Sequence, residues 1–353
     1  MEKEKRSVRE KGIIRNIIKW IIILTAIVIV YFWKNDEIND AFREMRHFPV
    51  ITSILCLLAT SLHFVVEGRI IHDMTMYEER QMTWFEAFKC GLYCAFYKLI
   101  SLGSLSGIAE VYYISKTGID PGRSSGITIA QYAYQKLGVT ILGVVGFITL
   151  YAGGISTVRE YAKWGILGTL VALIIVTVLL LVSVSKKAVG ILAFLVKKLI
   201  GSEGLIKNIK GVSADRKRDA IIGKLYTFND AGLYFWKHKT LCLKVTFLKM
   251  LKMALWYSVS GITVFTALSL RGDVTIKDFL IPLTLMAVAN MIGTVMVAPA
   301  GAGTLEFVVT LLFAPLYGNT AATVVILYRF YSMVVPFLFG AIVFATDNNK
   351  NKT

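Results

Sequence analysis

Runs of about 20 apolar residues recur along this chain, and no other feature constrains its fold as strongly. They begin near residues 13, 49, 126, 164, 241, 277 and 320. As a helix, each is long enough to cross a hydrocarbon core of about 30 Å. None shows the alternation over about ten residues that marks a membrane barrel strand. Of the 353 residues, 56% are hydrophobic and only 18% charged, which is too little polar surface for a soluble domain of this size. The expected fold is an all-α polytopic membrane protein with about seven to nine membrane elements, in one transmembrane domain spanning 1–353.

The net charge of +16 would suggest nucleic acid in a soluble protein, but its placement argues for a membrane. Residues 1–20 hold seven basic and three acidic side chains, and residues 185–240 hold twelve and four. Lys and Arg collect in cytoplasmic loops, so the N-terminus and a basic insertion at 185–240 are expected in the cytosol, beside anionic inner-leaflet lipid. The C-terminus is expected on the same side, and the protein in the cell membrane. No base-stacking or groove-binding motif accompanies the charge, so no nucleic-acid partner is expected. The run Ile17–Trp33 has no small-residue cleavage site after it and reads as a retained anchor. Cys56, Cys90, Cys94 and Cys242 lie in or beside apolar runs and read as packing residues, with no metal site or disulfide framework. His63 lies just before "EGRIIHD" and His72 within it, where the second helix is expected to return to the cytosol, and both read as interfacial.

Two apolar segments are interrupted. Residues 298–309 read "APAGAGTLEFVV", and residues 101–113 read "SLGSLSGIAEVYY". Each has a small, flexible run followed by Gly-x-x-Glu: Gly303 to Glu306, and Gly107 to Glu110. Interrupted hydrophobic segments in corresponding halves point to a transporter binding site, and an inverted repeat would account for the pair. Both read as re-entrant or broken helices. Breaking a helix frees backbone N–H groups at the new N-terminus, which favours an anion such as phosphate. Pro299 removes a donor and fixes φ, while Gly301 and Gly303 let the backbone turn. An ionised acid at bilayer depth costs about 2.5–3.5 kcal/mol on insertion scales, so Glu306 and Glu110 are functional candidates by default. Arg329 is a bidentate phosphate donor or a partner for Glu306. Lys136 is a further cation that can also snorkel. The plainer reading of the two acids is that they cap their helices or pair with Lys98, Lys136, Arg123 or Arg329. The candidate translocation site is therefore Glu306, Gly303, Gly301, Pro299, Arg329, Glu110, Gly107 and Lys136, without metal or cofactor. No G-x-x-x-x-G-K-[ST] phosphate loop is present.

At these residues the chain resembles the lysylphosphatidylglycerol synthase transmembrane family, the membrane flippase region of the multiple peptide resistance factor. The stretch from Val297 to Phe344 is similar to the family's Pro-small-Gly-x-Gly-x-x-Glu motif, its apolar helix, a following Arg and a late Gly. Here those are Pro299, Gly301, Gly303, Glu306, Arg329 and Gly340. "LISLGSLSGIAEVYYISKTGIDPGRSSG" resembles the first-half motif, with Gly107 and Glu110 in place. It departs where the family has Pro (Leu102–Ser104) and Arg (Tyr113), and Lys136 stands where Arg is common.

The resemblance implies a protein that moves a polar-headgroup lipid, aminoacylated phosphatidylglycerol or a relative, between leaflets, an activity linked to resistance to cationic peptides. The alternatives are a phosphatidylglycerol lysyltransferase using lysyl-tRNA, or a membrane scaffold for a separate synthase. The sequence after the last apolar run is too short for a soluble transferase domain, so the chain is not expected to be an enzyme by itself. Homo-oligomerisation is left open.

Overall fold

The computed structural model describes residues 48–78, 80–101, 105–185, 232–295 and 303–347, with isolated positions besides. The expected anchor helix at 13–33, most of the basic insertion, and Pro299 and Gly301 lie outside the described residues. Among the described residues, eleven α-helices and one π-helical turn have both ends defined, residues 232–237 are helical besides, and there is no strand. They are α1 (Val50–Thr75), α2 (Trp84–Ile100), α3 (Ser106–Lys116), α4 (Pro121–Ala152), α5 (Ser156–Glu160) and α6 (Ala162–Val184), then α7 (Lys239–Ser269), α8 (Ile276–Gly293), α9 (Thr304–Tyr317), α10 (Thr320–Arg329) and α11 (Val335–Thr346). Among the described residues, six helical stretches, α8 included, are long and apolar enough to cross a membrane by length and composition, the last running from Thr320 to Thr346. The protein is a multi-pass membrane protein of the expected all-α class.

The ends of these helices follow from local chemistry. Thr83 and Glu86 form a reciprocal capping box at the start of α2, and the Asp278 carboxylate accepts from the backbone N–H and hydroxyl of Thr275 at the start of α8. Asp120 accepts from the N–H groups of Gly122 and Arg123 ahead of α4, with Pro121 in the first turn where no N–H is needed. Between α10 and α11 the helix widens into a π turn, Phe330–Val334. Pro336 cannot donate and would clash with the Ser332 carbonyl in a regular helix, so the extra residue is accommodated just upstream.

Cross-helix contacts fix the direction of each element. Thr52 meets Thr266, His63 stacks on Trp256 and Lys244 reaches Asp73, so α1 and α7 are antiparallel. We call the end with the α1 C-terminus rim one and the opposite end rim two. His72 Nδ1 contacts the Met82 carbonyl, placing the start of α2 at rim one. Arg123 in the first turn of α4 pairs with Glu78 just beyond α1, which brings the short turn between α3 and α4 to rim one, and Lys116 bonds Asp347 at 2.6 Å, which brings the end of α11 there too. The α2–α3 pair thus enters from rim one and returns to it. The α7–α8 turn lies at rim two; α9 packs against α8 and the short α5, and its last residue, Tyr317, lies within electrostatic range of Asp278 in the first turn of α8. The α8–α9 pair therefore enters from rim two and returns there. The two re-entrant hairpins thus run in opposite directions, each followed by a longer helix, α4 or α10–α11.

Small residues let these elements close. A Cβ on Gly68 would lie 2.8 Å from the Phe88 Cα, and one on Gly340 would collide with the Leu92 carbonyl. Thus α2 is clamped between α1 and α11, as small residues permit in membrane packing. The outward faces stay apolar: Ile166, Leu170, Ile174 and Val178 of α6 are exposed, as expected where the neighbour is lipid.

One local expectation is corrected. The second helix does not end at "EGRIIHD" but continues to Thr75. His63 is not interfacial: it is 1% exposed and stacked on Trp256 with centroids 3.7 Å apart. The ionisable side chains of Lys249 and Lys252 across α7 give this stretch polar partners inside the bundle, so the helix need not leave the membrane at its first acid.

Candidate functional site

The second hairpin holds Glu306 in the first turn of α9. Gly303 precedes that helix with φ +78°, a left-handed conformation that side chains resist. Glu306 meets Arg329 of α10 in a two-point ion pair, Nε to Oε1 at 2.6 Å and Nη2 to Oε2 at 2.7 Å. Arg329 is 8% exposed and stands immediately before the π turn, where its Nη1 also donates to Met333 Sδ. Of the partners considered for Glu306, Arg329 is the one that reaches it. Arg123 pairs instead with Glu78 at rim one, 2.7 Å apart.

In the first hairpin Glu110 lies in the second turn of α3 and accepts from the Gln131 amide of α4. Gly107 lies beside that helix, where a Cβ would make only an ordinary contact with the Thr128 methyl at 3.9 Å. Gln131 is 21 residues beyond Glu110, and Arg329 is 23 beyond Glu306. The two acids thus bond to equivalent points of the helix after each hairpin. In the first half a neutral amide stands where the second half has a guanidinium. Lys136 does not fill that place. It lies about 140° round the helix from Gln131, and its Nζ sits 5.5 Å from the Tyr132 ring centroid.

Behind Gln131 lies a polar network that the sequence reading did not identify. Lys249 donates to Gln131 Oε1 and to Glu67, both at 3.1 Å. Lys252 pairs with Glu67 at 2.7 Å and donates to Gln135 Oε1 at 3.1 Å. His63 Nδ1 contacts the Lys252 carbonyl at 2.9 Å. Lys249 and Lys252 are 1% and 4% exposed. Burying two ammonium groups is tolerable only because Glu67 and two side-chain amide oxygens surround them. The sequence signal was available: Lys249 and Lys252 are one turn apart within an apolar run, as is Glu67 in its own.

Lys98 of α2 lies between the two clusters, within electrostatic range of Arg329 and Glu67. Its Nζ sits 4.8 Å from the Trp256 ring centroid, and among the described residues no carboxylate is within ion-pair distance. Apart from Asp73, which pairs with Arg69 and Lys244 near rim one, the interior thus holds Lys98, Lys249, Lys252 and Arg329 against Glu67, Glu110 and Glu306, an excess of one cation among the described residues. At rim one, a cavity of about 380 Å³ opens between α2, α3 and α11, lined by Tyr93, Tyr97, Tyr112 and the Lys116–Asp347 pair. Among the described residues no group of three His, Cys, Asp or Glu side chains is placed to hold a metal ion.

No curated protein matches the chain at a significant level. The family model described as the lysylphosphatidylglycerol synthase TM region matches residues 16–340, which include both hairpins, the ion pair and the buried network. A match over nearly the whole length, on the elements just described, means that this chain belongs to the lysylphosphatidylglycerol synthase transmembrane family.

Proposed function

We propose that the protein moves a phospholipid with a polar headgroup between the two leaflets. The observation that carries this reading is the pair of oppositely directed hairpins. Each brings an acid to the bundle interior and ties it to the helix that follows. Opposed repeats around a mid-membrane site support alternating access by rocking of one half against the other. Arg329 and Lys98 offer the phosphate two cations, one of them a bidentate donor. Glu306, partly exposed at 27% of its side chain, would exchange Arg329 for a headgroup amine as the phosphate arrives. Aminoacylated phosphatidylglycerol, with both groups, suits that exchange. The cavity at rim one is the headgroup entrance, where tyrosine hydroxyls and the Lys116–Asp347 pair replace water.

We place rim one in the cytosol of a cell membrane. The basic stretch 185–240 joins the end of α6 to the start of α7, both at rim one, and Lys/Arg-rich loops stay inside. Anionic inner-leaflet lipid is then its nearest partner.

The test is lipid movement in vesicles of phosphatidylglycerol and phosphatidylethanolamine carrying the purified chain and a quenchable fluorescent lysyl-phosphatidylglycerol. Wild-type protein is expected to expose inner-leaflet probe faster than empty vesicles, and Arg329→Ala to return the rate to that of empty vesicles. Equal rates for wild type and empty vesicles would remove the proposal.

A further inference from the structure

Apart from Asp73 near rim one, which pairs with Arg69 and Lys244, three acids lie inside the bundle, and they are not partnered alike. Glu67 is held by two ammonium groups and Glu306 by a guanidinium. Among the described residues, no basic side chain is within ion-pair distance of Glu110, whose hydrogen-bond donor is the neutral Gln131 amide. We infer that Glu110 is a proton-binding site, and that its protonation is coupled to lipid movement through the first hairpin. The coupling rests on the flippase reading, whereas the proton-binding site stands on geometry alone.

The asymmetry has a direct chemical meaning. Protonating Glu306 would forfeit a two-point charged pair and strand Arg329. Protonating Glu67 would leave Lys249 and Lys252 buried without a counter-charge. Protonating Glu110 breaks no ion pair. The carboxyl keeps a carbonyl oxygen that still accepts from Gln131, and Gln131 stays oriented because Lys249 donates to its oxygen. The charged groups around Glu110 are few. From α2 the thiols of Cys90 and Cys94 face it, and α4 supplies Thr128 and Gln131. Glu67 of α1 and Lys249 and Lys252 of α7 lie within electrostatic range of it. At the other end of α3, Lys116 and Asp347 satisfy each other. Glu110 is therefore the acid whose two protonation states cost the bundle least to exchange. It sits in a re-entrant helix, where intramembrane acids serve as proton relays. The step is a simple binding: a proton from one aqueous side neutralises the carboxylate, and it leaves to the other side after the hairpin has changed exposure.

Two measurements test this. Infrared difference spectra of the purified full chain, titrated from neutral to acidic pH, read carboxylic-acid formation without any transport. Wild type and Glu306→Gln are expected to show a common acid band that Glu110→Gln lacks and that Glu110→Asp restores at a shifted position. An unchanged band in Glu110→Gln, with its helical content intact, overturns the site. In vesicles carrying fluorescent phosphatidylglycerol, an imposed pH gradient is expected to change the wild-type rate several-fold and to leave Glu110→Gln indifferent. A wild-type rate independent of the gradient overturns the coupling. Absence of lipid movement under every gradient overturns the flippase reading and the coupling with it, while the infrared result still decides whether Glu110 binds a proton.

Discussion

Glu306 and Arg329 show how much a single intramembrane pair can be asked to do. Arg329 is almost wholly buried and Glu306 is not, so removing the acid is the more damaging change. Breaking a buried pair typically costs about 3–5 kcal/mol, and the exposure of Glu306 places Arg329→Met at or below the low end of that range. Replacing both, as in Glu306→Leu with Arg329→Met, removes the stranded charge and is expected to recover most of the stability. The recovery would be read as thermal unfolding in detergent. If the pair serves lipid movement, the double variant folds and does not transport. A double variant that transports at the wild-type rate would make the pair structural only. The candidate acids were legible because Gly-x-x-Glu within an apolar run has no cheap structural excuse. Their partners were less so. Arg329 was one of four considered for Glu306, and Gln131 drew no attention because a neutral amide carries no insertion penalty comparable to a charge.

At the scale of elements, the interrupted segments were visible because glycine and serine clusters break an otherwise continuous apolar pattern, and α2–α3 falls where that pattern predicts. What could not be read was which distant segments supply the polar counterparts. Glu67 and Lys249 are 182 residues apart, and no local periodicity connects them. The glycine clamps on α2 were equally hidden, since close approach is a property of two helices. The clamp makes a prediction. Gly68→Leu must displace α1 from the Phe88 backbone, and a forced fit of this kind costs about 1–3 kcal/mol. Gly272→Leu, in the rim-two turn where a Cβ meets nothing within 4 Å, should leave thermal stability within about 0.5 kcal/mol of wild type, as for an ordinary surface change. Equal losses at the two positions would show that α1 and α2 are not closed on one another as described.

For the whole molecule, the opposed hairpins imply a testable sidedness. If α2–α3 enters from rim one and α8–α9 from rim two, then the turn after α1 and the turn before α8 lie on opposite sides of the membrane, whichever side is cytosolic. Met76 and Gly272 mark those turns, and both are exposed. The native cysteines are a workable background, because Cys56 and Cys90 are buried and Cys94 and Cys242 only partly accessible. Met76→Cys and Gly272→Cys would each be labelled with a membrane-impermeant maleimide, in intact cells and after permeabilisation, against the unsubstituted chain. The expected result is that one variant reacts in intact cells and the other only once the membrane is opened. With rim one in the cytosol, the reactive variant is Gly272→Cys. The reverse pattern would keep the opposed hairpins and invert the orientation, moving the cavity of Tyr93, Tyr97 and Tyr112 to the outer leaflet and the headgroup entrance with it. Labelling of both variants from the same side would be incompatible with hairpins of opposite direction, and with any alternating-access scheme built on them.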